Sequence, residues 1–150
     1  MSSRTAAEIQ GLEYDWLATD ADRHVGFFTT AGGGYAPPAF LLDTDSHEVA
    51  IAAILALPST TVARYAPILG SGLANDWRLM AERGVFAYDA DVNGGPYRLV
   101  AAPVDPILAE TLPKPAREVA TRLRCPFGFE ASPTAGPDEL ANLAGDIGAR

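Results

Sequence analysis

The stretch "VFAYDADVNGGPYRLVAAP", Val85 to Pro103, decides how the fold is read. Val85 and Ala87, with flanking Phe86 and Tyr88, read as one strand, and Tyr97 to Ala102 as another. Between them stands Asn93-Gly94, the strongest short-range hairpin signal, because both residues tolerate φ > 0. Gly95 and Pro96 predict a loop longer than two residues. The same letters, Asp89-Ala-Asp91-Val-Asn93-Gly94, also begin like a calcium-binding EF-hand loop. That loop needs a bidentate acid at its twelfth position, which is Val100 here, and it joins helices rather than strand-like runs. A hairpin is therefore expected, and no metal.

Upstream, "LEYDWLATDADRHVGFFTTAGGG" predicts another hairpin. Leu12, Tyr14, Trp16 and Ala18 alternate with Glu13, Asp15, Leu17 and Thr19, and Val25, Phe27 and Thr29 alternate likewise. "TDADRH" between them is rich in turn formers. Gly32 to Gly34 end the sheet, and Pro37-Pro38 open a new element. "DTDSHEVAIAAILALP" predicts a helix with Asp45 as N-cap and Glu48 completing a capping box; Pro58 ends it. It is apolar almost all round, so deep burial is expected. An irregular segment with Tyr65 and Pro67 follows. "SGLANDWRLMAERG" predicts a second helix, with Leu73, Trp77 and Met80 on one face and Gly84 as the glycine that stops it. "KPAREVATRLRC" predicts a third, with Pro115 in the first turn and Val119 and Leu123 facing the core. "PFGFEA" reads as a last short strand, and "PDELANLAG" as one or two helical turns.

Hairpins interleaved with helices give an α+β fold: two β-hairpins in a mostly antiparallel sheet packed against about three helices on one face. At 150 residues the chain forms one domain, with residues 1–10 and the tail after about 132 expected to be loose.

The net charge of -8 argues against nucleic acid and anionic membranes. It is uneven: residues 1–60 hold 8 acids and 2 bases. An acidic portion attracts a basic partner and speeds docking. The N-terminal residues lack the apolar core of a signal peptide. Val49 to Leu57, the longest apolar run, is too short to span a bilayer. With one cysteine and no intramolecular disulfide, a cytoplasmic protein is expected.

No residue pattern points to catalysis or a cofactor. His24 and His47 have no metal-ligand spacing and read as surface residues. Cys125 follows a helix, at the wrong end of the dipole to stabilise a thiolate, and reads as a buried, inert thiol. "AGGGYAPP" lacks the lysine and spacing of a phosphate loop, and Ser71 in "GSG" is no nucleophile elbow. Asp20, Asp22, Asp89 and Asp91 sit at hairpin tips, where water keeps carboxylates ordinary.

"YDWLATDADRHVGFFTTAGGGYAPP" (Tyr14 to Pro38) and "RGVFAYDADVNGGPYRLVAAP" (Arg83 to Pro103), followed by Leu112-Pro113, resemble small bacterial immunity-like proteins of toxin–immunity systems. The resemblance rests on turn and strand residues, so it carries over no catalytic residue. It implies a protein that binds and blocks a cognate toxin; that the toxin is basic is expected from the charge reading alone. The expected contact rim is Asp20, Asp22, Asp43 and Asp45, with Tyr35 as an aromatic anchor; Trp16 reads as core. The alternative is a small enzyme or ligand-binding domain with a site between sheet and helices.

Overall fold

The computed structural model describes residues 3–65, 76–91 and 93–140, apart from the Asp91 side chain. The elements run α1 (Ala6–Ile9), β1 (Asp15–Thr19), β2 (Val25–Thr29), α2 (Pro38–Leu41), α3 (Thr44–Leu55), β3 (Ala63–Tyr65), α4 (Asp76–Glu82), β4 (Phe86–Asp91), β5 (Gly94–Pro103), α5 (Lys114–Ala120), β6 (Thr134–Ala135) and α6 (Pro137–Leu140), with a 3₁₀ turn at Ala109–Thr111. The fold is α+β. Both expected hairpins form, β1–β2 and β4–β5, and they join through a parallel β2–β4 pairing. The order is β1-β2-β4-β5-β3, with β6 also on β5.

The sheet is covered on two sides by different chemistry. Leu17, Val25, Phe27 and Ala87 pack against Ile51 and Ile54 of α3, Met80 of α4, and Val119 of α5. The opposite face is aromatic. Trp16 stacks on Phe28 at 4.2 Å and Phe28 on Tyr88 at 5.0 Å, with Tyr97 edge-on to Phe28 at 5.3 Å. Polar tips are satisfied: Trp16 Nε1 donates to the Tyr97 hydroxyl, which donates to the Tyr35 carbonyl, and the Tyr88 hydroxyl donates to the Ser132 carbonyl. Gly26 makes room for this layer, since a Cβ there would lie 2.7 Å from the Phe129 ring. The three longer helices thus share one face, as expected, while α2, α6 and the C-terminal loops close the other.

Several expectations need correction. Residues 5–10 are not a loose lead-in: Thr5 and Glu8 form a reciprocal capping box, and Ile9 is buried. The cap of α3 is Asp43 rather than Asp45, and its carboxylate accepts from the Ser46 hydroxyl. Nor is α3 buried all round: Val49 is 60% exposed. A strand, β3, forms in the segment read as irregular, because β5 is long enough to take both β3 and β6 on its outer edge. Helix α5 stops at Ala120, after which Thr121 bonds back to the Arg117 carbonyl and the chain crosses to β1. There the Thr19 N–H donates to the Leu123 carbonyl and its carbonyl accepts from the Cys125 N–H, which places Leu123 on the aromatic face. "PFGFEA" forms no strand; the last strand among the described residues is Thr134–Ala135. The second hairpin closes on Asp91 and Gly94, one residue earlier than Asn93-Gly94 implies, so two residues separate the strands rather than the longer loop expected from Gly95 and Pro96, which belong to β5; Gly94 and Gly95 both have φ of +87°. Gly84, at φ +88°, stops α4 as expected. The tail after about 132, expected to be loose, instead pairs β6 with β5 and buries Leu140, and Pro137–Leu140 forms the first of the helical turns expected in "PDELANLAG". Leu73, Ser71 and the rest of that stretch, residues 141–145, lie outside the described residues.

Candidate functional site

The expected rim does not assemble. Asp20 is fully buried, not wet. Its Oδ1 accepts from the backbone N–H groups of Asp22 and His24, both at 2.8 Å, and its Oδ2 from that of Phe129 at 2.9 Å. It ties the first hairpin turn to the C-terminal loop, because a buried carboxylate persists only where donors converge on it. Asp43 is mostly covered and bridges Ser46 to Arg122. Tyr35 is half-buried. Asp22 and Asp45 are exposed. Asp20, Asp22 and His24 are close enough to share an ion, the one such group among the described residues. Asp20's oxygens, however, are already held by backbone donors.

The histidines also depart from the surface reading. His47 is fully buried, and its Nδ1 accepts the Leu17 N–H at 3.0 Å while its ring packs edge-on to Phe40. Burial, with Arg122 nearby, lowers its pKa to about 3, so it is a neutral core residue. His24 is partly covered, 3.4 Å from Asp20. Cys125 is buried, and burial pushes its thiol up to about 12, as expected of an inert thiol.

A different constellation does come together. A cleft of about 350 Å³ opens between the start of β1 and the N-terminal half of α3. Glu13, Asp15, Asp45 and Glu48 line it, with Arg4 and Tyr14 at one side and Ile51 among the lining residues. Two regular elements set this geometry. Asp45 and Glu48 are i and i+3 on α3, hence on one face. Asp15 opens β1 on the same side of the strand as Leu17, so it points towards the helix layer. The sheet register places Asp15 opposite Thr29, and Thr29 opposite Asp89. The two residues therefore stand abreast on the sheet, with their backbones two strand spacings or about 10 Å apart. The Thr29 hydroxyl donates to Asp89.

Asp15 is the centre of this arrangement. Its Oδ1 is buried and, among the described residues, accepts no hydrogen bond. Burial first, then repulsion from Glu13, Asp76 and Asp89, raises its pKa to about 7. Arg4 is engaged with Tyr14 at 3.4 Å. The acids lining the cleft do not converge closely enough to share one metal ion. Such an arrangement suits an extended organic cation, a guanidinium or an ammonium, better than a compact one.

Neither histidine lines this cleft. Of the expected rim only Asp45 belongs to it. Glu13, Asp15 and Glu48 were missed, although the alternation carried a signal: Asp15 shares its strand face with Leu17, so an acid is carried onto a face that must be buried. Compared with family models, curated proteins and solved structures, the chain matches none. No helix among the described residues is long and apolar enough to cross a membrane.

Proposed function

We propose that this is a non-catalytic protein-binding protein whose acidic cleft receives a basic side chain of its partner. The observation that carries the reading is Asp15: a partly buried carboxylate whose buried Oδ1 has no hydrogen-bond partner among the described residues, set among other acids. Nothing in the fold requires that repulsion, whereas an incoming cation would relieve it. The net charge of -8 supports the same partner by steering cationic surfaces towards the chain. The resemblance to immunity-like proteins narrows the proposal to neutralisation of a basic bacterial toxin or effector domain.

The test uses two baits in extract of the native host: the wild-type chain and a Glu13→Gln, Asp45→Asn, Glu48→Gln variant. The reading expects a basic protein held by the first bait at low salt, released at moderate salt, and missed by the second. That protein should be toxic when expressed alone and harmless with the chain. Identical recoveries on both baits would sink the proposal.

A second reading has one observation in its favour. The cleft lies between sheet and helix, and a carboxyl group with a pKa of about 7 suits proton transfer near neutrality. A small amine bound there, insensitive to loss of the surface acids Asp45 and Glu48 but abolished by Asp15→Ala, would favour a ligand-binding or enzymatic role.

A further inference from the structure

Beside the cleft, on the other flank of α3, lies a groove of about 340 Å³ between α3 and α5. Val49, Pro115 and Val119 give it an apolar lining. Asp43, Asp45 and Glu118 border it, against one base, Arg122, which is itself 3.3 Å from Asp43. Asp45 lines both depressions. Glu48 faces the cleft and the next residue, Val49, faces the groove.

A lone exposed valine is ordinary. Val49 differs in lining a groove whose border is anionic and which runs on from an acidic cleft. The charge complements a cationic occupant and repels an acidic one. A purely cationic occupant would leave the apolar lining unused, and a purely apolar one would leave the acids unpaired. We infer that the two depressions form one docking surface, which takes a protein segment carrying a basic side chain for the cleft beside an apolar side chain for the groove. This rests on the proposed function of the cleft and adds the apolar half of the recognition. The arrangement, a desolvated apolar anchor bordered by charge, is how protein interfaces concentrate affinity.

The probes are synthetic decapeptides with two arginines and, at each spacing, one leucine or one alanine. Affinity is measured for the wild type, for Val49→Gln and for Glu13→Gln/Glu48→Gln, each first shown by its thermal midpoint to be folded. At the favoured spacing the leucine peptide should bind about tenfold more tightly than the alanine peptide, the gain expected for burying part of one such side chain. Val49→Gln should erase that difference and leave arginine-dependent binding. Glu13→Gln/Glu48→Gln should weaken both peptides. Equal affinity of leucine and alanine peptides, with arginine dependence intact, would overturn the groove's role while the cleft reading stands. Absence of arginine-dependent binding would overturn the cleft reading, and the groove proposal with it.

Discussion

Two acids with buried oxygens, one fully buried and one partly, lead opposite lives in this chain. Asp20, in the first hairpin turn, has three backbone N–H groups aimed at its carboxylate. Asp15, five residues earlier on the adjoining strand, has a buried oxygen with no donor among the described residues and faces other acids. Burial alone therefore says little about what an acid does. Burial with converging donors marks an architectural role, since the carboxylate satisfies groups that water cannot reach. Burial among like charges is a standing penalty, and such penalties concentrate where something else is to bind.

The sharpest way to break this contrast is Asp20→Ala. It leaves three backbone donors without their acceptor and should lower the unfolding free energy by about 4 kcal/mol. Urea denaturation measures it; an unchanged midpoint would show that the turn is held by other means.

The next effect comes from His47, on the same helix as the cleft acids. Its pKa is about 3 in the folded chain and near 6.5 unfolded, so the unfolded state binds the extra proton. Stability should fall as pH drops from 6.5 towards 3, by about 3 kcal/mol over the first two and a half units. His47→Gln should flatten that limb, at the expense of a weaker bond to the Leu17 N–H.

Asp15 acts with the opposite sign. Its pKa is about 7 folded and near 3.8 unfolded, so here the folded state holds the extra proton. Its contribution is most favourable in acid and is lost as pH rises through about 7. Asp15→Asn should therefore stabilise the chain at pH 8, by about 2 kcal/mol after allowance for its partial exposure, and change little below about pH 4. The same variant should abolish the pH dependence of cation binding, which in the wild type tightens as Asp15 ionises. A variant less stable at pH 8 would mean that the carboxylate has a structural donor after all.

The smallest effect on stability separates the exposed acids from both. Glu48→Gln should move the unfolding free energy by no more than about 0.5 kcal/mol, yet reduce the salt dependence of partner binding. Loss of stability without loss of salt dependence would assign Glu48 to the helix rather than to the cleft.

Much of the fold was legible along the chain because it rests on local periodicity. Both hairpins, the apolar run of α3, the stop at Gly84 and the burial of Trp16 and Cys125 follow from alternation, turn residues and helix spacing. Less was legible where one segment's role depends on a distant one. β3 is a strand because β5 has an open edge, and α5 ends where the chain can pair with β1. His47 looks like a first-turn surface residue until Leu17 and Phe40 close over it.

By itself, the sequence determined the secondary-structure alphabet, the α+β class and the acidic balance of the N-terminal portion. These depend on residue type and spacing alone. Only the tertiary structure decided which acids are architectural and which line a cleft. A carboxylate's role depends on the donors and charges around it, and here these come from residues such as Phe129, Asp76 and Asp89, far away in sequence.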